Sequence, residues 1–113
     1  NKLVHIRESA ATFGSTSIAA PGTGFVYIPV YAWCSASAVG SARYSNGTGG
    51  SVLFQFKVQA GGYVEIRFWE EPSKMASNLL PVIETETAGI GVHDFQVWLM
   101  KVRGGAGQDG LAL

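Results

Sequence analysis

The sequence predicts an all-β domain, an antiparallel β-sandwich of jelly-roll type with about eight strands. Short stretches of period-two alternation recur along the 113 residues, separated by Gly- and Pro-rich turn signals. No stretch carries a convincing helical period. The single cysteine, Cys34, excludes the cysteine pair of a seven-stranded immunoglobulin-like sandwich.

The elements follow in order. LVHIR (3–7) is short and alternating, and STSIAA (15–20) is weakly β and runs into the turn Pro21-Gly22-Thr23-Gly24. Residues 24–34 form the third strand, with hardly a charge. Read with a period of two, Val26, Ile28, Val30, Ala32 and Cys34 make one row; Phe25, Tyr27, Pro29, Tyr31 and Trp33 make the other. AVGSARYS (38–45) is followed by NGTGG (46–50), where Asn-Gly suits the positive φ of a tight hairpin. SVLFQFKV (51–58) places Val52, Phe54, Phe56 and Val58 inward and Leu53, Gln55 and Lys57 outward. YVEIRFW (63–69) repeats the pattern, with Val64, Ile66 and Phe68 inside and Tyr63, Glu65, Arg67 and Trp69 outside.

EEPSKMASN (70–78) is polar and has room for one helical turn. LLPVIETET (79–87) is expected at a sheet edge, because Pro81 cannot donate to a ladder. VHDFQVWLMKVR (92–103) is the last and longest strand, and the Gly-rich GGAGQDGLAL reads as flexible. The organisation expected is an N-terminal arm or first strand over 1–14, a sandwich domain over 15–103 and a flexible tail over 104–113.

Composition narrows the function. Eight basic residues balance eight acidic ones, so no global field steers the chain to nucleic acid or an anionic membrane. No segment has the run of apolar residues needed for a membrane helix, and NKLVHIRES does not read as a signal peptide. With 47% hydrophobic and only 14% charged residues, the chain has little colloidal protection as a free monomer.

No catalytic, cofactor or metal constellation is expected. His5 and His93 lack partners at ligand spacing, and His93 and Asp94 are sequence neighbours that point to opposite faces of a strand. Cys34, among apolar neighbours, reads as a buried small hydrophobe. Glu84 and Glu86 share a face and read as charges that protect an edge from pairing. PGTGF and NGTGGS lack the strand-to-helix context and lysine of a phosphate loop. Tyr63, Glu65, Arg67 and Trp69 form an outer contact row of the kind that meets a protein or a sugar ring.

The order of motifs resembles that of small β-sandwich structural proteins of tailed bacteriophage virions. It runs through Ala19 to Gly22, Phe25 to Tyr31, Ser35 to Ala38, Ser45 to Thr48, Gly61 to Phe68 and Val92 to Val102, and covers residues 15 to 103. Two departures are Phe95 and Trp98 in the last strand and the long, charged segment 70–78. The resemblance implies a non-enzymatic virion component, assembled in the host cytoplasm, with the major capsid protein or another virion protein as partner. Head decoration (cement) proteins of this kind are commonly homotrimers; the alternative is a tail, neck or head-fibre module that contacts host sugar or protein.

On that view one row of the 24–34 strand faces the core and a second copy covers the other. The expected oligomer interface is Phe25, Tyr27, Tyr31 and Trp33, with Trp98 and Met100 from the last strand. The competing expectation is a single chain whose 70–78 loop covers that row. A cellular sugar-binding jelly roll ranks below both, since no converging cleft is legible.

Overall fold

The computed structural model describes residues 2–10, 13–68, 78–87 and 92–103. Its strands are β1 (Lys2–Ala10), β2 (Phe13–Ser17), β3 (Phe25–Ala36), β4 (Gly40–Asn46), β5 (Ser51–Val58), β6 (Tyr63–Arg67), β7 (Pro81–Thr87) and β8 (His93–Arg103). They form two four-stranded antiparallel sheets in the orders β1-β8-β3-β6 and β2-β7-β4-β5, which is the jelly-roll arrangement. Of the arm or first strand expected over 1–14, Lys2–Ala10 is a strand, paired with β8 along its whole length. The helical turn expected within 70–78 and the tail 104–113 lie outside the described residues, Asn78 excepted.

The core lies between the sheets. Phe54 is its aromatic hub, with ring centroids 5.1 Å from Tyr44, 5.1 Å from Phe68 and 6.4 Å from Phe95. Phe56 meets Phe95 edge-on at 5.8 Å, the geometry the ring quadrupoles favour. Room for these rings comes from small residues facing inward, Ala32, Cys34 and Ala36 on β3 and Ala42 on β4, all buried in the same cluster. Large against small across facing sheets gives dense packing without strain. At the hairpin between β4 and β5, Gly47 has a φ of 90°, which glycine adopts at no steric cost.

Two irregularities change which side chains face this core. In β3 the register against β8 shifts between Pro29 and Tyr31, leaving Val30 as an extra residue. A bulge exchanges the faces of everything beyond it. Tyr27 and Pro29 therefore point inward before the bulge, and Ala32, Cys34 and Ala36 point inward after it. Val26 and Ile28, expected on one face with Ala32 and Cys34, lie on the opposite face, in a small cluster with Val102 and Met100. In β5 the register against β4 shifts between Tyr44 and Ser45, with Leu53 as the extra residue. Leu53 thus packs on the core beside Phe54, while Val52, expected inside, is 47% exposed.

The edge position expected for β7 is also corrected, for it lies between β2 and β4. Pro81 is tolerated there because it is the first residue of the strand, one of the few sheet positions where a missing N–H is harmless. Glu84 accordingly does not guard an edge: Arg43 on β4 is directly opposite, and its Nε lies 3.1 Å from Glu84 Oε1.

Phe95→Ala is expected to lower stability by about 3–5 kcal/mol in urea unfolding, through lost burial and a cavity. Val52→Thr is expected to stay within about 0.5 kcal/mol, as for other exposed positions. A loss at Val52 approaching that at Phe95 would contradict the bulge at Leu53.

Candidate assembly face

The strand registers define what the outer face of the β1-β8-β3-β6 sheet presents. Crossing from β1 to β6, one row reads Leu3, Met100, Ile28. The next reads His5, Trp98, Tyr31, Arg67, followed by Arg7, Gln96, Trp33, Glu65 and then Ser9, Asp94, Ser35, Tyr63. The face grades from an apolar end, through aromatic rings, to a mixed polar end. The outer face of the other sheet differs in kind, with Ser15, Ser17, Ser41, Arg43, Gln55 and Lys57.

Within the aromatic zone the rings hold one another in place. His5 stacks on Trp98 at a centroid distance of 4.5 Å, and Tyr31 meets the other side of Trp98 edge-on at 5.1 Å. Trp33 lies 6.4 Å from Tyr63, which is 68% exposed. Polar bonds fix the margins. His5 Nε2 and Gln96 Oε1 are 2.9 Å apart, and Arg7 donates to both Asp94 oxygens at 2.9 and 3.0 Å. The Tyr31 hydroxyl donates to Glu65 Oε2 at 2.6 Å, and Arg67 lies 3.4 Å from the other Glu65 oxygen. The bond to Glu65 raises the Tyr31 hydroxyl above its ordinary pKa, with burial and the carboxylate charge adding to it. Hydrogen bonding to Asp94 likewise raises Arg7.

Four of the six residues expected at an oligomer interface thus share one face: Tyr31, Trp33, Trp98 and Met100. Phe25 and Tyr27 do not belong to it, because the extra residue at Val30 turns them to the other side. Tyr27 is a core residue whose hydroxyl donates to the Ala19 carbonyl at 3.3 Å. Phe25 lies under two cations, Lys101 Nζ at 4.9 Å and Arg103 at 5.4 Å from its ring centroid. Of the outer contact row, Tyr63, Glu65 and Arg67 lie on the same face as Tyr31, whereas Trp69 lies outside the described residues. Sequence reasoning missed Leu3, His5 and Arg7. The alternation of LVHIR was the available signal for all three.

Elsewhere the reactive side chains are structural. Among the described residues no group of three or more His, Cys, Asp or Glu side chains is placed to hold a metal ion, and no helix is long and apolar enough to cross a membrane. Cys34 is fully buried, and burial, with a smaller effect of the Asp94 charge, pushes its thiol up to about 12. His93 is buried between the sheets, and among the described residues neither ring nitrogen has a hydrogen-bond partner of good geometry. It packs against Gly40, where a Cβ would collide with its Nε2 and with the Glu86 carbonyl oxygen. Burial lowers the His93 pKa from its ordinary 6.5, partly opposed by the Glu86 carbonyl and the charge of Glu8. Glu8 is itself buried and accepts a hydrogen bond from Thr16 Oγ1 at 2.5 Å.

No family model matches the sequence, and no curated protein matches it. Solved structures do. PirA is 11% identical, with 83% of this chain and 92% of PirA covered at a TM-score of 0.55. A protein of Bacillus endospore appendages, a family of disulfide-linked pili, is 18% identical over 88% of this chain and 83% of its own, with a TM-score of 0.45. The coat protein of Tobacco streak virus is 10% identical over 88% and 85%, with a TM-score of 0.43. At these identities the likeness to PirA is one of fold alone.

Cys34 is expected to stay unreactive toward a disulfide reagent such as DTNB in the folded protein, and to release one equivalent of chromophore on unfolding. Fast labelling of the native chain would contradict its burial. For His93 the folded pKa lies below the unfolded one, so the unfolded chain binds more protons as pH falls through about 6.5. Stability is therefore full above that value and is lost as the medium is acidified below it. Thermal melts between pH 7.5 and 5.5 are expected to show this decline in the wild type and a flatter profile in His93→Gln.

Proposed function

We propose that this chain is a non-enzymatic structural protein of a virion, a decoration protein that binds the head shell through the outer face of its β1-β8-β3-β6 sheet. The observation that carries the reading is the make-up of that face. Tyr31, Trp33, Tyr63 and Trp98 form an aromatic surface on regular strands, with their margins pinned by Arg7–Asp94 and Tyr31–Glu65 bonds. Aromatic anchors within a polar rim are the composition of a contact surface. The motif order shared with small phage virion proteins supplies the setting.

The mechanism is mass action. A protein that binds only the assembled shell stabilises it by RT ln(1 + L/Kd) for each site, with L its free concentration. Area removed from water at the rings supplies the driving force, at about 25 cal/mol per Å² before the costs of association. Holding the rings by mutual stacking reduces those costs, because little side-chain freedom remains to be lost on docking.

Adding the purified chain to empty mature shells is expected to raise their melting temperature. Tyr31→Glu is expected to weaken shell binding about 10- to 100-fold, because it removes an aromatic ring and its bond to Glu65 and brings a further charge into a desolvated contact. Gln55→Glu, on the outer face of the other sheet, is expected to leave binding unchanged. Binding to host cells, with no effect on shells, would overturn the decoration role and favour the tail or fibre module.

A further inference from the structure

The two sheets end in four edge strands, and three of them carry features that discourage pairing with another chain. β2 and β6 are five residues each, and β5 is interrupted at Leu53. Short length and bulges are recognised protections of a sheet edge. β1 differs. It is nine residues long, contains neither Pro nor Gly, and keeps an unbroken register with β8 from Lys2 to Ala10. Its protective features are charges, Arg7 on the outer face and Lys2 and Glu8 on the core side. Lys2 and Glu8 have opposite signs.

We propose that β1 pairs antiparallel with β1 of a second copy, about a two-fold axis through His5, joining the two β1-β8-β3-β6 sheets into one of eight strands. The inference deepens the reading of the chain as an assembly protein by naming a partner and a register. A two-fold contact must be self-complementary, and the charges select this one. Centred on His5, Lys2 lies opposite Glu8 of the second copy, Val4 opposite Ile6, Leu3 opposite Arg7 and His5 opposite itself. Both charged pairs are then neutralised, and the apolar residues meet each other. Leu3, 56% exposed in the single chain, packs along the aliphatic stem of Arg7. Centring on Ile6 sets His5 against Arg7 and leaves Glu8 facing Val4. Centring on Val4 places Arg7 and Glu8 beyond the overlap.

The pairing also extends the assembly face. Tyr31, Trp98 and His5 form a row of rings in contact that ends at the β1 edge. Across the axis the row continues into His5, Trp98 and Tyr31 of the second copy. The docking surface of one chain becomes half of a symmetric one.

Cross-linking tests the register. Residues directly opposite in an antiparallel pair have Cα atoms about 4.5–5.5 Å apart, within the range a disulfide spans. His5→Cys is therefore expected to give a covalent dimer when oxidised by copper phenanthroline in air, and Cys34 is buried and takes no part. Arg7→Cys is expected not to cross-link, since equal positions are then about 13 Å apart along the strands. The double variant Leu3→Cys, Arg7→Cys is expected to cross-link again. All three positions are exposed, so thermal melts of the reduced variants check that they are folded. Native mass of the unmodified chain is expected at twice 12.0 kDa. A monomer at high micromolar concentration, a trimer without the His5→Cys cross-link, or equal cross-linking of Arg7→Cys overturns the pairing. Shell binding is scored separately: loss of the cross-link with binding intact removes only the edge contact, and the reverse removes only the docking role.

Discussion

The rest of the structure depends on one extra residue, Val30, in the central strand β3. A strand of twelve residues with apolar side chains in both rows has no self-evident inside. The bulge assigns one. Before it, Tyr27 and Pro29 fill the core; after it, Ala32, Cys34 and Ala36 do, and their small size admits the rings of Phe54, Phe56 and Phe95. The same shift turns Tyr31 and Trp33 outward beside Trp98. Without the extra residue Trp33 would have to occupy the space those rings fill, at an overpacking cost no rotamer change relieves. Core and assembly face are therefore products of a single irregularity.

How far this was legible in the sequence can be judged residue by residue. The strands were legible, since alternation, Asn46-Gly47 and the Gly61-Gly62 step are local signals of local geometry. Faces were not, wherever a bulge intervened. At β3 a signal did exist: Pro29 lies mid-strand, and a proline there points to a bulge or an edge because it cannot donate. At β5 no comparable mark distinguishes Leu53 from Val52, and only the pairing with Tyr44 and Ser45 decides which turns inward. The position of β7 was misread for the converse reason. Pro81 suggested an edge, yet as the first residue of its strand it permits an interior place. Topology of this kind depends on pairings distant in sequence, which local patterns do not encode.

The candidate face was half legible. Tyr31, Trp33, Trp98 and Met100 were expected together, and Tyr63, Glu65 and Arg67 were expected on an outer row. Nothing in the sequence says that these two sets are neighbours, because β3 pairs with β6 across the 26 positions between Ala36 and Tyr63. Nor does it show that β1 adds His5 and Arg7 to the same surface, through pairing with β8 at the far end of the chain. The ion pairs at its margin contribute little stability in water. Their effect is to hold the rings in one arrangement and to keep an aromatic surface wetted at its rim.

The central claim is that the aromatic part of the β1-β8-β3-β6 outer face, around Tyr31, Trp33, Tyr63 and Trp98, is accessible in the free chain and covered in the assembled particle. Hydroxyl-radical footprinting, read by mass spectrometry on free and particle-bound protein, tests it most directly. The account predicts that Tyr31, Trp33, Tyr63 and Trp98 are oxidised in the free chain and protected on the particle, while Tyr27 and Tyr44 are protected in both. Strong labelling of Tyr27 with protection of Tyr31 in the free chain would contradict the bulge. Equal labelling in both states of these four rings, Tyr63 exposed and the other three half-buried, would contradict the docking face.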